Sequence, residues 1–119
     1  ISEKFAPVDQ YIRALWPAIK ALNGLGIYYD VATLENLKLR QYSIVVLPRT
    51  VVIPDATIER LLSFAQNSGI LIATQQAGRL NGLGQGETRK NNPLIESPHV
   101  LYFEDQPNWI DLLKRFYDP

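Results

Sequence analysis

Residues 43–48 read Ser43-Ile44-Val45-Val46-Leu47-Pro48, and residues 70–74 read Ile70-Leu71-Ile72-Ala73-Thr74. Both stretches are short and almost wholly apolar, the first closed by a proline and the second opened by a glycine. A strand that is apolar on every residue is one covered on both faces, as in a parallel sheet between helices. Between them, Ile58, Leu61, Leu62 and Ala65 recur at spacings of three and four, which predicts an amphipathic helix over 55–67. Ser68-Gly69 stops it. Strand, helix and strand in this order form a parallel crossover unit.

Working outward, Val8, Ile12, Leu15, Ile19 and Leu22 form one stripe of a first helix. Pro17 lies inside it and is expected to bend it, and Asn23-Gly24 is expected to cap its end. The β-branched and aromatic run at 27–31 predicts a strand, followed by a short helix over 33–39. Downstream, the glycine-rich and polar stretch 75–92 predicts a long loop, with one helical turn at its start. Val100-Leu101-Tyr102-Phe103 predicts another strand. Asp105 is then expected to cap a final helix, with Pro107 in its first turn and Ile110, Leu113 and Tyr117 along its inner side.

Helices alternating with strands over 119 residues give one α/β domain spanning 1–119, a flavodoxin-like three-layer sandwich with a parallel sheet. Sheets of this kind open with a strand before the first helix, and that strand lies near the middle. Only Ile1-Ser2 precedes the helical stretch, so the first strand is expected to be missing or truncated. A gap would then separate the 27–31 strand from the 43–47 strand. The sequence has no methionine and begins with Ile1, which points to a piece of a longer polypeptide.

Composition narrows the function classes. Hydrophobic content of 46% supports a core without staples. With no cysteine there is no disulfide framework, thiolate metal site or cysteine nucleophile. Twelve basic and twelve acidic residues are interspersed, without the basic stripe of a nucleic-acid binder. No apolar run approaches the roughly 20 residues of a membrane span. Neither a nucleic acid nor a membrane is therefore expected as partner, and no compartment can be read.

Leu22-Asn23-Gly24-Leu25-Gly26-Ile27-Tyr28-Tyr29-Asp30-Val31, the Tyr42 to Pro48 run, Ile58-Glu59-Arg60-Leu61-Leu62-Ser63-Phe64-Ala65 and the Ser68 to Thr74 run carry a resemblance. Over residues 7–82 the chain resembles class I glutamine amidotransferase-like domains. Among these it is most similar to the trimerisation, or accessory, domain of family 42 β-galactosidases and related glycoside hydrolases. Active amidotransferases carry a nucleophilic cysteine on the turn after a strand, and its place falls near Gln75. Their glycine pair after the equivalent of Leu47-Pro48 is Arg49-Thr50 here, and His99 is not followed two residues on by Glu. The resemblance thus implies a non-catalytic accessory domain without cofactor, whose partners are the catalytic domain of a parent chain and further copies of itself.

Individual residues were weighed against plainer roles. Asp30, Arg49 and Gln75 are the candidate ligand-binding residues, on the expectation that each ends a strand at the C-terminal edge, where open α/β sheets bind ligands. A turn or capping role competes for Asp30. Trp16 and Trp109 are candidate interface residues; core packing competes for Trp16, and Trp109 is expected to be half-exposed. Gly82-Leu83-Gly84-Gln85-Gly86-Glu87 lacks the third glycine of a dinucleotide fingerprint and reads as surface loop. Glu104-Asp105 are adjacent, so they do not flank one glycosidic bond. His99 has no second histidine or cysteine for zinc. A rival enzyme reading would need Thr74 as nucleophile with His99 as its base.

Overall fold

The computed structural model describes residues 2–82 and 88–116, with side chains described from residue 13 onward. Three strands form a parallel sheet in the order β1-β2-β3: β1 is Ile44–Pro48, β2 is Ile70–Thr74 and β3 is Val100–Phe103. The register sets Ile44 against Ile70 and Pro48 against Thr74, then Leu71 against Val100 and Thr74 against Phe103. Four α-helices accompany them: α1 (Ser2–Gly24), α2 (Asp55–Gln66), α3 (Pro93–Glu96) and α4 (Trp109–Lys114).

Alternation along the strands sorts the side chains into two layers. Val45, Leu47, Leu71, Ala73 and Val100 face α2 and α3, packing with Ile58, Leu61, Ala65 and Leu94. Ile72, flanked by Ile44, Val46, Ile70 and Phe103, faces α1 and α4, where Ala18, Ala21, Trp109, Leu112 and Leu113 close the second core. Both faces of the sheet are covered, giving the α/β/α sandwich that the apolar strands imply. Pro48 fits inside β1 because its missing N–H lies on the side turned away from β2.

Four expectations need correction. Residues 27–31 are not a strand; they have no ladder partner, and β propensity cannot supply one. The expected helix at 33–39 is two 3-10 turns, Leu34–Asn36 and Leu39–Gln41. The buried stripe of α1 is Ala14, Ala18 and Ala21, while Leu15, Ile19 and Leu22 are half-buried on its flank. Alanines let the helix approach the sheet closely, so the larger residues are displaced to the side. The helix continues through Pro17.

The end of α1 is capped two residues later than expected. Gly26 takes φ 70, while Ile27 N–H donates to Leu22 O and Gly26 N–H to Asn23 O. These two bonds make a Schellman cap with Gly26 as its left-handed residue.

The fourth correction concerns α4. It starts at Trp109 rather than near Asp105, with the Asn108 side chain accepting from Asp111 N–H at 3.1 Å. Pro107 disfavours helical geometry at the residue before it, which delays the start. The later start turns Trp109, Leu112 and Leu113 inward and leaves Ile110 44% exposed; Tyr117 lies outside the described residues.

The stretch after β2 is more structured than a free loop. Leu80 makes a parallel bridge to Val52 and an antiparallel one to Thr88. α3, unforeseen in the sequence, is capped by Asn92 and plants the fully buried Leu94 in the core. Beyond Gly82, the glycine-rich reading of 82–87 lies outside the described residues.

Candidate functional site

The C-terminal edge of the sheet is where β1 and β2 deliver their turns. Three non-glycine residues there take left-handed backbone: Arg49 (φ 46), Gln75 (φ 54) and Gln76 (φ 69). Such geometry costs on the order of 1–3 kcal/mol per residue and persists only where surroundings enforce it. Here Gln75 N–H donates to Phe103 O and Ala77 N–H to Thr74 O. Gln76 N–H donates to the Tyr102 hydroxyl at 2.8 Å. Burial pushes the Tyr102 phenol up, the Gln76 N–H pulls it down, and nearby Glu104 pushes it up again, with a net upward shift.

Thr74 is fully buried, and its hydroxyl is engaged. It donates to Gln75 Oε1 at 3.2 Å and accepts from Arg49 N–H at 3.3 Å. His99 precedes β3 by one residue, whereas Thr74 is paired with Phe103. Four residues of strand, roughly 13 Å, separate them along the ladder. They sit at opposite ends of the sheet, so His99 is no base for Thr74.

Arg49 and Gln75 share a cleft of about 220 Å³ with Arg13, Ala14 and Gln106. Asp30 is not part of it. Because residues 27–31 form no strand, Asp30 lies at the other, N-terminal edge, where it accepts from the Tyr42 hydroxyl at 2.9 Å. That hydrogen bond, with burial and the carboxylate charge behind it, raises the Tyr42 pKa above its ordinary value. The candidate trio therefore divides into a pair and an outlier. A larger groove of about 1040 Å³ also lies at the N-terminal edge, between the 3-10 turns and α2. Its Arg60 donates to the Leu37 carbonyl.

The two tryptophans also separate. Trp109 is 4% exposed, contrary to the half-exposure expected, and its Nε1–H donates to Gln106 Oε1 at 2.9 Å. Gln106 Nε2 in turn donates to Arg13 O at 3.3 Å, tying α4 to α1. Trp109 is thus a core residue within this chain. Trp16 stands 57% exposed on α1.

Sequence reasoning missed Arg89. Its guanidinium donates to the carbonyls of Gly78, Leu80 and Ile53 and to Asp55 Oδ1. It joins the loop after β2, the bridge at Val52 and the start of α2. An arginine in a polar loop gives no local sign of such a role.

Among the described residues, no group of three or more histidine, aspartate or glutamate side chains is placed to hold a metal. No helix there is long and apolar enough to cross a membrane.

No curated protein matches the chain. The family model of the β-galactosidase trimerisation domain matches residues 8–85, a window holding α1, β1, α2, β2 and the Gln75 turn. That window covers 78 of 119 residues (85 − 8 + 1). The chain therefore belongs to the β-galactosidase trimerisation domain family, the non-catalytic accessory unit of family 42 glycoside hydrolases.

Proposed function

We propose that this domain acts through contact, joining copies of a larger β-galactosidase chain by means of the surface that α1 leaves open. The observation that carries this reading is Trp16. It is 57% exposed on α1, beside Leu15 and Ile19, which are half-buried and belong to neither core cluster. An indole with about half its surface in water leaves on the order of 100 Å² uncovered. Burying that area is worth about 2.5 kcal/mol. Aromatic residues of this kind commonly anchor interfaces. Its partners are then sister copies and the parent's catalytic domain. The balanced charge gives a phosphate backbone nothing to grip, and neither nucleic acid nor membrane enters the reading.

Trp16 fluorescence tests it. In a Trp109→Phe background Trp16 is the sole tryptophan, since the chain has two. As copies associate, its emission should shift to the blue and acrylamide quenching should fall. Emission that stays water-like while sedimentation shows assembly would refute the role. The domain alone should hydrolyse neither a β-galactoside nor glutamine.

A second reading is supported by the shared cleft. Arg49 and Gln75, with Arg13 beside them, suit a small carboxylate ligand. Calorimetric titration with simple carboxylates, wild type against Gln75→Ala, separates this sensor reading from the scaffold. Asp30 drops out of it, being at the far edge.

A further inference from the structure

The outer edge of β1 carries unmet backbone groups. Its ladder with β2 is fixed by Ile70 N–H donating to Ser43 O at 2.9 Å and Arg49 N–H donating to Thr74 O at 3.2 Å. Bonding groups alternate along a parallel strand. Ser43, Val45, Leu47 and Arg49 therefore turn their N–H and C=O toward β2, while Ile44 and Val46 turn theirs outward. Neither of those two N–H groups meets an acceptor among the described residues, although both residues are half-buried. Half-buried backbone left unpaired is costly and makes a template for a strand.

Beyond that edge lies the unpaired segment 27–31, with Tyr28 93% and Val31 62% exposed. The Tyr42–Asp30 hydrogen bond holds it near the start of β1 at side-chain rather than backbone distance. A strand placed between two others separates them by two spacings, roughly 9.6 Å, a span that a tyrosine reaching for a carboxylate covers. Ile27, Ile44 and Val46, with Leu22 and Leu25 of the adjoining helix end, line this side of the second core as partly buried residues.

The course of α1 identifies the occupant. Arg13 and Ala14 lie at the C-terminal edge beside Arg49 and Gln75, and Asp30, six residues past Gly24, is at the N-terminal edge. The helix thus runs antiparallel to the strands, as the return leg of a βαβ crossover does. A strand parallel to β1 would end at the edge from which α1 sets out, so a short connection suffices.

We infer that the space between β1 and residues 27–31 is a strand-acceptor slot, filled by an apolar segment of the parent polypeptide that precedes α1 and runs parallel to β1. The sheet then has the order 27–31, incoming strand, β1, β2, β3, which is the flavodoxin-like order. The inference is independent of the assembly reading, since it concerns one chain's own sheet.

Residue-resolved amide exchange tests it, comparing the 119-residue chain with the same chain carrying thirty residues of the parent polypeptide upstream. In the longer chain the Ile44 and Val46 amides should exchange at least about 100-fold more slowly, while Val45 and Leu47 are protected in both. Equal rates for Ile44 and Val46 in the two chains would overturn the inference. So would protection in the shorter chain that grows with concentration, the mark of a second copy in the slot. Proline variants of the longer chain give an independent readout. Val46→Pro should lower the unfolding midpoint about as much as Val45→Pro; a tolerated Val46→Pro means an edge still open to water and defeats the proposal.

Discussion

The Arg89 guanidinium and the Asp55 carboxylate meet at 2.8 Å across two very different environments, the arginine side chain 8% exposed and the aspartate 68%. The unequal burial divides the work between them. Arg89 also serves three backbone carbonyls, whereas Asp55 remains solvated at the first turn of α2.

Arg89→Ala should therefore cost about 3 kcal/mol, because buried carbonyls lose their donor. Arg89→Lys should recover only part, since an ammonium cannot reach several acceptors as a planar fork does. Asp55→Asn should cost less than about 1 kcal/mol, as expected of an ion pair half in water. Urea unfolding of the three variants checks the ranking.

Ser68 ends α2 with φ 77, a position glycine fills without strain. Ser68→Gly should raise stability by about 0.5–1 kcal/mol. Its neighbour gives the opposite result. A Cβ on Gly69 would stand 2.6 Å from the Phe64 ring and from the Phe64 carbonyl oxygen, so Gly69→Ala should lose about 1–3 kcal/mol. Thermal unfolding of both variants should show shifts of opposite sign.

Trp109 and Gln106 should behave as a structural pair. Trp109→Phe removes the donor to Gln106 Oε1 and opens space in the second core, costing about 2 kcal/mol. Gln106→Ala should cost about 1 kcal/mol, and the double variant less than the sum, by roughly 0.5–1 kcal/mol. Denaturant midpoints of the four proteins close the cycle, and none should alter assembly.

Tyr42 supplies a pH signature. The fold raises its pKa, so the neutral phenol is favoured. Its contribution is present below the ordinary tyrosine value near 10 and is lost as pH rises through the folded value. Asp30→Asn should bring the Tyr42 ionisation back toward the ordinary value in a tyrosine-resolved NMR titration. An unchanged titration would mean that the contact with Asp30 is not made in solution.

Much of the sandwich was legible because its signals are local. The runs at 44–48 and 70–74 are apolar on both faces, and α2 repeats its apolar residues with helical spacing. Residues 27–31 misled for a physical reason: a β-branched, aromatic stretch is competent to pair, but pairing needs a neighbour elsewhere in space. Trp109 was misplaced because the start of α4 sets which face turns inward, and the start depended on Pro107. The alanine stripe of α1 was hidden because close approach, not side-chain size, decides what is buried. Arg49 and Gln75 do come together, as strand ends should, while Asp30 was lost along with its strand. Arg89 left no trace in the sequence, since its partners are carbonyls fixed by tertiary packing.

Sedimentation equilibrium of the parent enzyme carrying Trp16→Ala tests the assembly role most directly, with Trp109→Phe as control. Trp16→Ala should weaken association at least about tenfold while leaving the unfolding midpoint of the domain nearly unchanged. Trimers as tight as those of the unaltered enzyme would contradict the assignment of the α1 surface as the contact that joins the copies.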